Sequence, residues 1–291
     1  MAITTSPSPH FLLAGCGALG GRIAQKLLAQ GPVTGLRRSA HKVPDGVRGL
    51  AADLLNPESL QRALGHHTPD IVIYCLTPAQ YDEQGYRDAY VTGLQNLLAA
   101  LPAPPKHVFF ISSTGVYHQD DDSVIDEQSP ARPEKYSGQQ ILAGEQVALA
   151  SGIAATVIRF SGIYGPSRQR FLDSVMAGKI NPPSPGPYTN RIHEDDAAAL
   201  VAHLAAKVIK GEQVAECYIG SDCEPVRLDE ICGWIAGQLP CQPPEPGAPT
   251  GRRAGSKRCD NSRLLASGFV FQYPSYREGY QPMIAARQQE S

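Results

Sequence analysis

The chain has 291 residues, 42% of them apolar and 19% charged, with a formal net charge of -2. That length and composition can bury one large core, or a core and a smaller lobe. The near-neutral charge gives no broad basic field, so a small-molecule substrate is expected and neither nucleic acid nor membrane is an expected partner.

Short apolar runs alternate with longer helical patterns. His10 to Gly15 reads as a strand and Ala18 to Gln30 as a helix, followed by a strand at Val33 to Leu36. Asp70 to Leu76 is the next clear strand, Tyr81 to Leu101 the next helix, and His107 to Ile111 and Ala154 to Phe160 are further strands. The alternation predicts an α/β fold, a Rossmann doubly wound parallel sheet with helices on both faces. After Phe160 the pattern weakens, although Ala197 to Ile209 and Cys217 to Gly220 can return to the sheet. The expected organisation is a Rossmann domain over residues 1–164 and a smaller C-terminal substrate lobe over 165–291, with 195–220 returning to the sheet. Proline clusters at Pro102 to Pro105, Pro182 to Pro187 and Pro240 to Pro249 mark loops.

Seven cysteines (Cys16, Cys75, Cys217, Cys223, Cys232, Cys241, Cys259) are scattered without a C-x-x-C pair, so they read as reduced thiols and no metal is assigned. Leu12-Leu13-Ala14-Gly15-Cys16 has the letters of a lipoprotein cleavage site. Met1 to His10 lacks both Lys and Arg, however, and the same letters fit a buried strand ending in a glycine turn. No stretch approaches the ~18 apolar residues of a membrane span. The expected location is cytoplasmic.

Gly15-Cys16-Gly17-Ala18-Leu19-Gly20 is G-x-G-x-x-G directly after a predicted strand and opening a predicted helix. Its glycines permit a tight turn, close approach of backbone to a pyrophosphate, and packing of helix on strand, while the helix start supplies free N–H groups. About 20 residues on, a site selective for NAD would carry an acid for the ribose 2′-hydroxyl. Here the second strand ends in Leu36-Arg37-Arg38-Ser39, and a guanidinium there pairs with a 2′-phosphate and stacks on adenine. The expected cofactor is NADP.

His107-Val108-Phe109-Phe110-Ile111-Ser112-Ser113-Thr114-Gly115-Val116-Tyr117 resembles the extended short-chain dehydrogenase/reductases, the epimerase/dehydratase family. Other stretches agree in order: Ala52-Asp53-Leu54, Thr92 to Leu98, Ile158 to Pro166 with Ser161, Ile192 to Asp196, and Lys257 to Leu265. The resemblance covers about Phe11 to Gly279 and is nearest to a small, atypical subgroup. It adds Asp53, Leu54, Leu76 and Ser161 to the expected cofactor contacts.

In that family the Ser or Thr ending the fifth strand hydrogen-bonds the reacting oxygen, which implies this role for Ser113. The next helix normally carries Tyr-x-x-x-Lys. Tyr136-Ser137-Gly138-Gln139-Gln140 falls there with the lysine replaced. Gln140 can take over the ribose hydrogen bonds but supplies no charge. An ordinary phenol, with a pKa near 10, is only about 0.1% ionised at pH 7, so alcohol oxidation through tyrosinate loses up to roughly a thousandfold. Carbonyl reduction needs the neutral phenol and carries no such penalty.

Two further departures concern the substrate, because Tyr90 and Gly162 stand where relatives usually carry asparagine. A nucleotide sugar is therefore a weaker expectation than the family name implies. The basic run Arg252, Arg253, Lys257, Arg258 fits a substrate anion or a solvated surface, and the acids after His193 fit a helix N-terminus. The leading expectation is NADPH-dependent reduction, or epimerase-like chemistry, of a small or sugar-like carbonyl compound with Ser113 and Tyr136 catalytic. The alternative is a catalytically weak dinucleotide-binding sensor or scaffold. Relatives often pair through helices, so the resemblance also implies a homodimer.

Overall fold

The computed structural model describes residues 8–245, 247–248 and 255–290. In chain order its strands begin with β1 (Phe11–Ala14), β2 (Val33–Arg37), β3 (Arg48–Ala51), β4 (Ile71–Tyr74) and β5 (His107–Ser113). They continue with β6 (Ser123–Ile125), β7 (Ala155–Phe160), β8 (Gly162–Tyr164), β9 (Tyr188–Thr189) and β10 (Arg191–His193), then β11 (Cys217–Gly220), β12 (Val226–Arg227) and β13 (Lys257–Cys259). The helices are α1 (Ala18–Leu27), α2 (Pro57–Leu64), α3 (Glu83–Arg87), α4 (Gly93–Ala100) and α5 (Tyr136–Leu149). After them come α6 (Arg170–Met176), α7 (Glu194–Ile209), α8 (Leu228–Ala236), α9 (Ser262–Ala266) and α10 (Tyr276–Glu290).

Seven strands form the central sheet in the order β11-β7-β5-β4-β1-β2-β3. β1 runs parallel to β2 and β4, β2 to β3, and β4 to β5. Reading outward from β1, chain order runs one way through β2 and β3 and the other way through β4 and β5. Such a reversal defines the switch point at which an open α/β sheet binds its ligand. All four residues of β1 and of β4 are buried, as strands covered on both faces require.

The chain divides into two compact units. The first comprises residues 1–113, 134–158 and 198–217, and the second 114–133, 159–197 and 218–291. In the second, β8 pairs with β10, β9 with β12 and β6 with β13. Its apolar core joins Tyr164, Leu172, Ile231, Ile235, Tyr280 and Ile284, from β8, α6, α8 and α10. Tyr164 and Tyr280 stack with centroids 4.3 Å apart.

The helix expected over Tyr81 to Leu101 contains an irregularity that no local pattern shows. α3 and α4 are joined by a π-helical turn over Asp88–Thr92. The cause lies in the sheet: the buried Tyr74 hydroxyl donates to the Ala89 carbonyl at 2.6 Å. A carbonyl drawn to an inserted side chain is a recognised origin of such a register slip. Gly93 leaves room for that phenol, since a Cβ there would lie 2.6 Å from the Tyr74 oxygen.

Candidate functional site

The loop from β1 to α1 lies at the switch point, and its three glycines have different jobs. Gly15 has φ +88, and a Cβ there would sit 2.1 Å from the Cys75 carbonyl and 2.7 Å from Leu76. At Gly20 a Cβ would lie 2.3 Å from the Gly15 carbonyl oxygen. These two are required by the protein's own packing. Gly17 is not: its φ is -89, and a Cβ would meet nothing within 4 Å. Bareness at Gly17 leaves backbone open to something outside the chain, which is the property a pyrophosphate needs of the middle glycine.

Gly17 is also the N-cap of α1, makes no side-chain capping bond, and is followed by no acid in the first turn. The helix start at Ala18 and Leu19 therefore keeps its positive potential for an anion. Cys16, between the glycines, is buried, and that burial pushes its thiol pKa up.

At the end of β2 the two arginines separate. Arg37 is half-buried, and its Nη1 donates to the carbonyls of Cys16 at 2.9 Å and Lys42 at 2.7 Å. These charge-assisted bonds brace the glycine loop. Arg38 is exposed. Past β3, Asp53 accepts the Leu55 N–H at 3.0 Å, and the Leu54 carbonyl accepts from Asn96 at 2.9 Å.

Ser112 and Ser113 end β5, and strand alternation turns them to opposite faces. The Ser112 hydroxyl donates to buried Glu145 of α5 at 2.5 Å. That bond ties the helix carrying Tyr136 and Gln140 to the strand carrying Ser113. Ser113 itself is half-buried. Tyr136 opens α5, 40% exposed, and its hydroxyl donates to the Tyr81 carbonyl at 2.8 Å. Gln140, one turn on, reaches the Glu83 carboxylate at 3.5 Å. In this arrangement both side chains of the expected Tyr-x-x-x-Lys position face the segment after β4.

That segment is what sequence reading missed. Tyr86 lies 5.9 Å from Tyr90 in a stacked pair, 5.7 Å from Tyr136 and 6.4 Å from Tyr81 in edge contacts. The i,i+4 spacing of Tyr86 and Tyr90 was the available signal. Burial, helped by the neighbouring phenols of Tyr136 and Tyr81, pushes the Tyr86 pKa up and keeps it a hydrogen-bond donor.

The remaining expected residues lie in the second unit. Ser161 is buried, with its hydroxyl donating to the Gly220 carbonyl at 3.2 Å. Of the basic run, Arg252 and Arg253 lie outside the described residues, Lys257 is buried, and Arg258 is exposed with Nε donating to the Asp122 carbonyl at 3.0 Å. The acids after His193 form the first turn of α7, where Asp196 accepts the backbone N–H groups of Gln272 and Tyr273 at 2.8 Å each. Among the described residues no helix is long and apolar enough to cross a membrane.

Residues 11–183 match the model of the NAD dependent epimerase/dehydratase family. A structure from Methylobacillus flagellatus, provisionally titled an NAD-dependent epimerase/dehydratase, is 38% identical, with a TM-score of 0.82 over 97% of this chain and 99% of that one. A 3-diazoavenalumate denitrifying reductase from a Streptomyces species is 25% identical over 92% of this chain and 98% of its own length. The Thermus thermophilus UDP-glucose 4-epimerase, solved with NAD, shares the fold at 19% identity, with a TM-score of 0.78 over 97% of this chain and 100% of that one.

Proposed function

The chain belongs to the NAD-dependent epimerase/dehydratase family, and from that premise we propose that it is an NADPH-dependent reductase of a small carbonyl substrate. The observation that carries the nucleotide half is the bare Gly17 at an uncapped helix start. The backbone there and the first turn of α1 would hold the pyrophosphate, Arg38 the 2′-phosphate, and Leu76, Asp53 and Leu54 would border the adenosine and nicotinamide ends. When bound, the nicotinamide supplies the hydride.

The residues of the chain then supply orientation and a proton. Ser113 orients the carbonyl oxygen. Tyr136, once its hydroxyl turns from the Tyr81 carbonyl, gives its proton to the developing alkoxide, a task suited to a neutral phenol. Gln140 holds ribose hydroxyls without lending the charge that oxidation through tyrosinate would need. The direction agrees with the Streptomyces relative, which is named a reductase.

NADPH should bind at least tenfold tighter than NADH, about 1.4 kcal/mol. Arg38→Glu should remove or reverse that preference by setting a carboxylate against the 2′-phosphate. Arg37→Ala should instead weaken both nucleotides and lower the melting temperature, because it frees the Cys16 and Lys42 carbonyls. Calorimetric titration of the three proteins decides it, and equal affinities in the unaltered protein would sink the reading of the arginines.

For the chemistry, a panel of aldehydes and ketones assayed with NADPH is the direct test. On any substrate found, Tyr136→Phe and Ser113→Ala should each lower kcat with little change in NADPH affinity, and the double variant should lose less than the product of the two. Full activity in Tyr136→Phe removes this tyrosine from the mechanism. Tight NADPH binding with no turnover across the panel favours a dinucleotide sensor.

A further inference from the structure

We propose that the tyrosines at the carboxyl ends of β4 and β5 form a recognition surface for an aromatic ring, so that the substrate carries its carbonyl beside a planar group that is uncharged or cationic. The proposal rests on the reductase reading for its chemistry, though not for its binding.

Five aromatic rings run outward from the sheet. Phe110 of β5 is fully buried, Tyr90 meets it edge-on with centroids 6.2 Å apart, Tyr86 stacks on Tyr90, and Tyr136 and Tyr81 stand at the edge of Tyr86. Exposure climbs along the series, from 0% at Phe110 and 9% at Tyr90 to 40% at Tyr136 and 77% at Tyr81. A cluster serving only as a plug for the sheet would bury its outermost rings. This one ends in two rings open to solvent, and each aromatic side chain has of the order of 150–250 Å² to offer a partner.

Three features make the surface a prepared one. It stands at the carboxyl end of the parallel strands, the edge at which the glycine loop also lies and at which α/β sheets bind ligands. Its inner part is held independently of the Tyr136 hydroxyl: Tyr74 bonds to Ala89 in the π turn from which Tyr90 projects, and Tyr86 stacks on Tyr90. Such turns occur often at functional sites. At its border the Glu83 carboxylate lies 3.5 Å from Gln140. Negative charge there disfavours a phosphorylated sugar and tolerates a neutral or cationic ring. A flat ring stacks on or meets these tyrosines edge-on, whereas a saturated ring of the same size gains contact area alone.

The test uses a matched pair of probes, benzaldehyde and cyclohexanecarbaldehyde, with the corresponding alcohols for binding to the NADP-loaded protein. With NADPH, kcat/KM should be at least tenfold higher for benzaldehyde. In saturation-transfer NMR benzyl alcohol should bind at least tenfold tighter than cyclohexylmethanol. Tyr81→Leu, at an exposed position where folding is not at stake, should lower binding of the aromatic alcohol about tenfold more than that of the aliphatic one, and Tyr81→Phe should restore most of the difference. Equal binding of the two alcohols, or an equal loss of both in Tyr81→Leu, overturns the proposal whatever the turnover. Preferential binding that Tyr81→Leu abolishes, with no aldehyde or ketone of the panel reduced, upholds aromatic recognition and favours the sensor over the reductase.

Discussion

Gly15→Ala should lose about 2–6 kcal/mol of stability, whereas Gly17→Ala should stay within about 1 kcal/mol of the parent and lose nucleotide binding instead. The first figure adds two terms of about 1–3 kcal/mol each: a side chain held at φ +88, and overlap of its Cβ with the Cys75 carbonyl 2.1 Å away. Against a total stability of about 5–15 kcal/mol, that loss is a large fraction. Gly17 has an ordinary φ and an empty surrounding, so alanine there disturbs only what approaches from outside. NADPH affinity should fall at least tenfold with the melting temperature nearly unchanged. Denaturant titration beside nucleotide titration checks both halves. A Gly17→Ala protein that binds NADPH normally would show that the loop does not cradle the pyrophosphate.

This division among the glycines also shows what was legible beforehand. The G-x-G-x-x-G spacing, the alternation of apolar runs with helical patterns, and the family stretches are local, and each survives into β1, α1, β5 and the sheet order. Which glycine answers to packing and which to a ligand depends on Cys75 and Leu76, about sixty residues away in the chain. Arg37 and Arg38 likewise look alike in sequence. Only the carbonyls of Cys16 and Lys42 distinguish a brace from an exposed charge.

The tyrosine cluster was hidden for the same reason. Tyr81, Tyr86 and Tyr90 lie on a segment that reads as one amphipathic helix, whereas Tyr90 sits in a π turn where the Tyr74 hydroxyl bonds to the Ala89 carbonyl, a contact from fifteen residues earlier in the chain. Tyr136 is joined to them only once Ser112 and Glu145 have fixed α5 against β5. Family motifs therefore point to the scaffold, while the proposed aromatic surface depends on tertiary contacts that no family motif contains.

The second unit offers a prediction of comparable size, in pH dependence. Asp222 follows β11, is 1% exposed, and its Oδ2 makes no hydrogen bond among the described residues. Burial pushes its carboxyl up to about 8, against the opposing pull of the Arg191 guanidinium and with further upward pressure from Glu224 and Asp196. Tyr164, Tyr280 and Cys259 share its electrostatic surroundings. Unfolding returns the group to a value near 4, so between about pH 4 and pH 8 the folded state holds a proton that the unfolded state releases. Stability must then fall as pH rises through that window, by up to about 1.4 kcal/mol per unit, and level off above pH 8. Asp222→Asn keeps the shape and removes the titration. Its stability relative to the parent should grow by up to about 4 kcal/mol between pH 5 and pH 8, with the larger advantage on the alkaline side. Urea melts at pH 5, 6.5 and 8 measure the difference. Parallel curves for the two proteins across that range would mean that Asp222 is ionised in the folded protein throughout, with Arg191 compensating its charge.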